Sequence, residues 1–243
     1  MTTPFSPWKL RWTPVHVARF WNWWGTHPQA SEQYFSRLYG DSILDDIARR
    51  VPLSGVVMDF GAGPGFLTEK LLKRGARVFS VEFSPESADS LTSRLSGRPG
   101  FLGARAASLD SIPCEDASAD LAILVEVVEH LDDAILAGAL AEVTRVLRPG
   151  GHLVLTTPNQ EDLGKAEILC PECGCVYHRV QHVRSWSAHS LTAAVEPLGY
   201  DTVAAQPTKF AKKGGYISQT RRRLRELRRR PAPHLFYLAR KRA

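Results

Sequence analysis

Three of the four cysteines in this chain fall within the stretch CPECGCVYH, which begins at Cys170. Thiolate and imidazole groups at short spacing are the usual ligands of a tetrahedral zinc ion. Cys170, Cys173 and His178 have the separations of a zinc knuckle. Either Cys175 or His182 would supply the fourth ligand. The stretch therefore predicts a structural zinc site that stiffens a loop with little core of its own.

A second group of candidate reactive residues lies in VEVVEHLDD, directly after the apolar run LAILV. Glu126, Glu129 and His130 would stand at the carboxyl end of a parallel strand, where open α/β sheets bind ligands. His130 could remove a proton from a bound substrate as a general base. Alternatively, the two carboxylates and the imidazole could hold a divalent cation that lowers the pKa of a substrate hydroxyl. The residues alone leave both roles open.

The stretch VVMDFGAGPGFLTEKL is typical of a strand, a glycine turn and the start of a helix. Gly61, Gly63 and Gly65 allow the backbone to approach a ligand closely. Phe66 stands where a dinucleotide fingerprint needs its third glycine, which argues against a pyrophosphate. Glu82 ends the next strand, where a carboxylate can accept hydrogen bonds from both hydroxyls of a ribose. Together these residues predict a nucleotide-like cofactor.

The elements that position these residues alternate between strands and helices. Apolar runs begin at residues 55, 77, 101, 121 and 151, and helices are predicted over 65–75, 84–96 and 133–147. After the cysteine stretch the pattern continues with a helix near 187–198, a strand near 200–206 and a last strand at 234. This alternation predicts an α/β fold, a doubly wound and mostly parallel sheet with helices on both faces.

The pattern also divides the chain. Residues 1–50 are rich in tryptophan and predict an N-terminal helical cap. Residues 51–243 form the α/β domain, with a Cys/His-rich insert at about 160–186 and a basic helix at about 216–230.

Composition and charge exclude some classes of protein. No apolar run reaches the length of a membrane span, no secretory signal is evident, and clustered cysteines are a poor disulfide framework. We therefore expect a soluble cytoplasmic protein and leave its oligomeric state open. The net charge of +6 equals that of RRRLRELRRR alone, at 221–230, which holds seven Arg and one Glu. This run is either a solvated helix face or a contact for phosphate, on RNA or an anionic surface.

From about residue 55 to 160 the sequence resembles the class I S-adenosylmethionine-dependent methyltransferases. The likeness is carried by DFGAGPG, VEFS, SLDSIPCEDASADLAILVEVVEHL and VLRPGGHLVLTTPN, in the family's order and spacing. It implies a Rossmann-like sheet of seven strands and S-adenosylmethionine as the cofactor.

The resemblance also implies which residues contact the cofactor. Asp59 and the glycine turn would hold the methionine end, and Glu82 the ribose. Ser108 and the backbone of Leu109 would line the adenine, although many members carry an aspartate where this chain has Ser108. The implied cofactor contacts are Asp59, Phe60, Gly61, Gly63, Gly65, Glu82, Phe83, Ser108, Leu109, Val125 and Glu126.

A second resemblance concerns E-x-x-E-H. The motif is similar to one associated with a divalent cation in RNA 3′-terminal 2′-O-methyltransferases and in the O-methyltransferases of ubiquinone synthesis. In the RNA enzymes a later histidine completes the set, and His182 matches its place. The likeness thus implies a catalytic metal at Glu126, Glu129, His130 and His182, and it favours Cys175 as the fourth ligand of the knuckle.

These observations predict an enzyme that O-methylates a hydroxyl of a small molecule, sugar or glycan intermediate. The spacing of the cysteines and histidines after TTPN also resembles bacterial methyltransferases of glycan and natural-product biosynthesis. One alternative is an RNA 2′-O-methyltransferase that uses a divalent metal and the arginine run. Another is a non-catalytic cofactor-binding or scaffold protein.

Overall fold

The computed structural model describes residues 5–108, 111–212 and 232–243. The strands, in chain order, are β1 (Trp8–Lys9), β2 (Val56–Phe60), β3 (Arg77–Glu82), β4 (Phe101–Ala106), β5 (Ala119–Val125), β6 (Leu147–Pro158), β7 (Glu167–Leu169), β8 (Cys175–His178), β9 (Tyr200–Thr208) and β10 (His234–Lys241). The helices are α1 (Pro14–Thr26), α2 (Pro28–Ser31), α3 (Phe35–Ala48), α4 (Phe66–Lys73), α5 (Pro85–Leu95), α6 (Asp133–Val146) and α7 (Ala188–Val195). Short 3₁₀ turns cover Leu163–Ala166 and Glu196–Leu198.

Seven strands form the central sheet in the order β4-β3-β2-β5-β6-β10-β9. Strand β10 runs antiparallel to β6 and β9, and the other neighbours are parallel. The predicted α/β fold with a seven-stranded, mostly parallel sheet is therefore confirmed. The carboxyl ends of β2, β3, β4, β5 and β6 meet at one edge, which we call the carboxyl edge.

Both faces of this sheet are buried, which explains why its central strands are continuous apolar runs. Along β2, Met58 and Phe60 pack into one hydrophobic cluster and Val57 packs into another. The first cluster includes Leu140 of α6, and the second includes Leu44 of α3. The helices thus cover the sheet from both sides and fix the loops that follow each strand.

The Cys/His-rich insert forms a second, small sheet in the order β1-β8-β7. Strand β1 pairs in parallel with β8, and Trp8 lies opposite Cys175. The N-terminal arm is therefore tied to the insert. The sequence did not indicate this sheet, because strands of two to four residues are too short to show a period.

Two predictions lie outside the described residues: the cofactor contact of Leu109 and the basic helix at 216–230, with its arginine run. In the part of the chain that the structure describes, no helix combines the length and apolar character needed to cross a membrane.

Candidate active site

The glycine turn between β2 and α4 lies at the carboxyl edge. Gly61, Gly63 and Gly65 all adopt positive φ, at 72°, 54° and 77°. A Cβ on Gly61 would lie 2.7 Å from Cγ2 of Val127, and one on Gly63 would lie 2.9 Å from Cε1 of Tyr34. Glycine is therefore required here both by backbone conformation and by close approach.

Two carboxylates flank this turn, that of Asp59 buried and that of Glu82 half-buried. Glu82, at the end of β3, accepts a hydrogen bond from the backbone N–H of Gly63. Burial raises the pKa of Glu82 to about 7. Asp59, at 2% exposure, accepts a 2.6 Å hydrogen bond from the hydroxyl of Thr68, and burial raises its pKa to about 6.

Tyr34 was not indicated by the sequence, yet its ring lies against Gly63. Burial, and then the charge of Glu82, raise the pKa of its hydroxyl. Its ring is also 6.0 Å from that of Phe66, between ring centroids. The only available signal was an aromatic residue just before a helix, which is too common to indicate a cofactor contact.

The remaining predicted cofactor contacts follow other strands at the same edge. The ring of Phe83 meets that of Phe60 edge to face, with centroids 5.6 Å apart. The backbone N–H of Ser108 donates to the carbonyl of Ser111 at 2.9 Å. Val125 is the last residue of β5. These residues stay predicted cofactor contacts.

Three residues of the predicted catalytic set come together beyond β5. Ligand atoms of Glu129, His130 and His182 all lie within 4.8 Å of one another. Oε1 of Glu129 is 3.9 Å from Nε2 of His130 and 4.0 Å from Nε2 of His182. His182 thus belongs with the E-x-x-E-H motif, although it lies far along the chain.

Glu129 has an unusual environment for a carboxylate. It is 1% exposed, and neither of its oxygens has a hydrogen bond of normal geometry among the described residues, although the hydroxyl of Thr157 lies close enough to lower its pKa. Nδ1 of His130 lies 3.4 Å from the carbonyl of Gln181, which can only accept, so Nδ1 carries the proton and Nε2 is left with a free lone pair. A buried, unpaired carboxylate beside an imidazole lone pair fits a divalent cation.

Glu126 stands next to this cluster but is not part of it. Its Oε1 accepts a hydrogen bond from the hydroxyl of Thr156 at 3.0 Å. Its backbone has φ of 53°, which is uncommon for a residue with a side chain and is found mostly where a site requires it. Burial raises the pKa of both Glu126 and Glu129. Glu126 is therefore held beside the cluster by a neighbouring strand.

The cysteine turn brings three of its four predicted ligands together. The thiols of Cys170, Cys173 and Cys175 all lie within 4.8 Å of one another. The backbone N–H groups of Cys173 and Glu172 lower the pKa of the Cys170 thiol. In the described part of the chain no other Cys, His, Asp or Glu joins the three thiols.

His178 lies elsewhere, so its interpretation as a knuckle ligand does not fit. Cys175 and His178 are the two ends of β8, an extended strand in which residues three apart are about 10 Å apart and face opposite sides. His178 instead stacks on His182, with ring centroids 4.5 Å apart, and approaches Glu161. Glu161, just after β6, was not indicated by the sequence because a single carboxylate after a strand forms no motif.

An aromatic group from α1 covers the cluster. The ring of Trp21 meets that of His130 edge to face, with centroids 4.8 Å apart. Its indole N–H donates to Oε1 of Gln181 at 2.8 Å, and the amide of Gln181 donates to the carbonyl of His130 at 3.0 Å. Trp12, at the start of the cap, contacts Tyr177 of β8. The N-terminal cap and the insert therefore meet over the candidate catalytic residues.

The chain is similar to known proteins over part of its length. A family model described as a methyltransferase domain matches residues 58–155. An uncharacterised methyltransferase of Mycobacterium tuberculosis is 39% identical over 122 residues, which are 50% of this chain and 45% of that protein. A ubiquinone biosynthesis O-methyltransferase of Xylella fastidiosa is 30% identical over 151 residues, which are 57% and 55% of the two chains. The chain thus spans about half the length of these relatives.

A solved structure extends the likeness to nearly the whole chain. It is the 1,6-didemethyltoxoflavin-N1-methyltransferase of Burkholderia thailandensis, with bound 1,6-didemethyltoxoflavin and S-adenosylhomocysteine. The TM-score is 0.64 at 18% sequence identity, and the match covers 98% of this chain and 95% of that one. With the sheet order, this likeness shows that the chain has the fold of that methyltransferase, and the family model shows that residues 58–155 match a methyltransferase domain.

Proposed function

We propose that the protein transfers a methyl group from S-adenosylmethionine to a hydroxyl of a small molecule, sugar or glycan intermediate. The observation that carries this proposal is the buried, unpaired carboxylate of Glu129 between His130 and His182. This cluster lies at the same edge of the sheet as the glycine turn, so an acceptor and a cofactor methyl group could meet there.

The cofactor would lie along the carboxyl edge. The Gly61 to Gly65 backbone and Asp59 would contact its methionine end, and Glu82 would accept hydrogen bonds from its ribose. The approach of the turn to Glu82 supports this placement, because the carboxylate already accepts the N–H of Gly63. The methyltransferase-domain match over residues 58–155 and the neighbour solved with S-adenosylhomocysteine support the same cofactor.

A hydroxyl acceptor fits the site better than an amine. The relatives' names include both an O-methyltransferase and an N1-methyltransferase, so the comparisons leave the acceptor atom open. A neutral amine is already nucleophilic, whereas a hydroxyl must lose its proton during transfer. When bound at Glu129, His130 and His182, with Glu126 beside them, a divalent cation would lower the pKa of an acceptor hydroxyl. This is the chemistry that the cluster can supply.

The chain's own residues mainly position the reactants. The acceptor oxygen attacks the sulfonium methyl in line, a C–O bond forms, and the C–S bond breaks to release S-adenosylhomocysteine. The hydroxyl proton passes to a base, for which Nε2 of His130 is placed if no cation occupies the cluster. Trp21 would cover the acceptor and exclude water, because its ring contacts His130 directly.

We also propose a structural zinc ion at Cys170, Cys173 and Cys175. Support comes from the three thiols within 4.8 Å of one another and from Gly174, whose φ of 76° suits the tight turn of CPECG. A reduced cysteine set of this kind fits the cytoplasm, where thiols stay reduced. The zinc would hold the turn to which β1 is tied.

An RNA 2′-hydroxyl is the alternative acceptor. The gathering of His182 with Glu129 and His130 supports it as well, and the arginine run at 221–230 would contact phosphates. Binding to RNA would weaken steeply with added salt, because phosphate contacts release counterions. A non-catalytic scaffold is the second alternative, and it predicts that S-adenosylhomocysteine does not bind.

The proposal is tested by methyl transfer from labelled S-adenosylmethionine to a panel of sugars, phenols and short RNAs, followed by mass spectrometry. Glu129→Gln and His130→Ala should each lower turnover about a hundredfold or more while S-adenosylhomocysteine still binds. Glu115→Gln, an exposed acid at the surface, is the matched control. Turnover that persists in chelator and ignores added magnesium or manganese would exclude the cation and leave His130 as the base.

A further inference from the structure

The carboxylate of Glu161 contacts two imidazoles, those of His178 and His182, which stack on each other at the edge of the candidate catalytic cluster. Oε2 contacts Nδ1 of His182 within hydrogen-bonding distance, and Oε1 lies 3.4 Å from Nε2 of His178. The ring centroids of the two histidines are 4.5 Å apart and their planes differ by 18°. The proposed function uses His182 but assigns no role to Glu161 or His178.

The backbone fixes which nitrogen of His178 carries the proton. Nδ1 accepts hydrogen bonds from the backbone N–H of His182 at 3.1 Å and of Val180 at 3.4 Å. A nitrogen that accepts N–H groups has a lone pair, so the proton of the neutral ring is on Nε2. That nitrogen is buried and has no hydrogen bond of normal geometry among the described residues, and Oε1 of Glu161 is the acceptor within reach.

Glu161 in turn fixes the tautomer of His182. A carboxylate can only accept, so the contact with Oε2 requires the proton of His182 on Nδ1. Nε2 then has a free lone pair, and it is the atom that lies 4.0 Å from Oε1 of Glu129. An imidazole whose far nitrogen donates to a carboxylate is the usual arrangement of a metal-binding histidine.

We infer that Glu161 and His178 are positioning residues that hold His182 in the tautomer whose Nε2 faces Glu129. This inference rests on the proposed function for the role of His182. Glu161 accepts a hydrogen bond from Nδ1–H of His182, and Nε2–H of His178, 3.4 Å from the other oxygen of the same carboxylate, holds Glu161 in place. The contacts from His178 to Glu161 and from Glu161 to His182 therefore fix the tautomer of one ligand of the proposed cation site before the cation binds.

The same atoms could instead hold a second cation, because ligand atoms of Glu161, His178 and His182 lie within 4.8 Å of one another. The tautomer of His178 argues against this, since Nε2 carries a proton and has no lone pair for a metal. Nδ1 of His182 would also have to lose its proton. One Mn²⁺ per chain at this cluster is therefore expected, and two would overturn the inference.

The first test needs no metal. Long-range ¹H–¹⁵N NMR of the metal-free protein reports which nitrogen of His182 carries the proton. The wild type should show Nδ1–H, and Glu161→Leu, which removes the acceptor, should shift His182 towards Nε2–H. The matched control is Asp162→Asn, which removes a neighbouring surface carboxylate that pairs with Lys165 at 3.1 Å. An unchanged tautomer in Glu161→Leu would overturn the inference, whether or not the proposed cation exists.

The second test measures Mn²⁺ affinity by electron paramagnetic resonance. Glu161→Gln should weaken binding about 10 to 100-fold, the usual effect of removing a partner of a metal-binding histidine, and Asp162→Asn should change it less than twofold. His178→Asn keeps an acceptor at the position of Nδ1 but loses the donor to Glu161, so it should also weaken Mn²⁺ binding. His178→Gln places an amide N–H closer to Glu161 and should retain most of the wild-type affinity for Mn²⁺. Equal affinities across the series would contradict the assignment. A wild type that binds no Mn²⁺ would instead count against the proposed cation.

Discussion

We expect Glu82 to make the affinity for the cofactor depend on pH. It is half-buried near Asp59, and desolvation, with the charge of Asp59, raises its pKa to about 7 from 4.5. A folded-state pKa above the unfolded value means that the folded protein binds the proton more tightly. The contribution of Glu82 to folding stability therefore falls as pH rises from about 4.5 to about 7. Cofactor binding changes in the opposite direction, because ribose hydroxyls donate to the ionised form.

We therefore predict that affinity for S-adenosylhomocysteine falls about tenfold between pH 8 and pH 6 through Glu82 alone. Glu82→Gln should bind more weakly by about 1 to 3 kcal/mol at pH 8, the usual scale for hydrogen bonds to a charged group, and should lose this part of the pH dependence. Isothermal titration calorimetry of the wild type and Glu82→Gln at each pH measures the affinity for S-adenosylhomocysteine. Glu86→Gln, with an exposed side chain on α5, is the control. Identical pH profiles in the wild type and Glu82→Gln would contradict the ribose assignment.

At the scale of elements, β8 connects the two candidate metal sites. It begins at Cys175 of the thiol cluster and ends at His178, which supports His182 through Glu161. Strand β1 pairs with the same strand, and the N–H of the Trp8 indole donates to the carbonyl of Cys173 at 2.9 Å. Loss of order at the cysteine turn should therefore affect both the N-terminal arm and the candidate catalytic cluster.

We predict that the purified protein retains one zinc ion through gel filtration and that Cys173→Ser loses it. A loss of about 2 kcal/mol of stability would lower the melting temperature by about 4 to 8 °C. Elemental analysis and thermal unfolding measure the two effects. Cys175→Ser should lose zinc as well, whereas Cys114→Ser, which changes the cysteine outside the cluster, should keep it. Full zinc retention in Cys175→Ser, combined with loss in His182→Ala, would mean that His182 belongs to the knuckle.

The elements also show what the sequence could predict. Strands β2, β5 and β6 were recognisable because a strand buried on both faces is a continuous apolar run. The glycine turn and E-x-x-E-H were recognisable because their spacing is local. His178 was assigned to the wrong cluster because sequence spacing did not show that Cys175 and His178 lie at opposite ends of an extended strand. Glu161 could not be predicted, because its role arises only when the end of β8 contacts the segment that follows β6.

At the scale of the whole molecule, the sheet places the candidate cofactor contacts and the candidate catalytic cluster at the same edge. Loops after β2 and β3 supply the candidate cofactor contacts, and the loops after β5 and β6 supply the candidate catalytic cluster. The net charge of +6 equals that of the arginine run at 221–230, so the rest of the chain is balanced. A balanced charge around the site agrees with a small-molecule acceptor better than with RNA, which needs basic contacts near the reacting hydroxyl.

The central claim is that a divalent cation at Glu129, His130 and His182 lies beside the transferred methyl group. NMR of bound S-adenosyl-[methyl-¹³C]methionine tests it most directly, because a paramagnetic ion broadens the signals of nearby nuclei. We predict that Mn²⁺ broadens the bound methyl signal strongly in the wild type and not in Glu129→Gln, while Mg²⁺ leaves it sharp in both proteins. A sharp methyl signal from the bound cofactor at saturating Mn²⁺ in the wild type would contradict the claim.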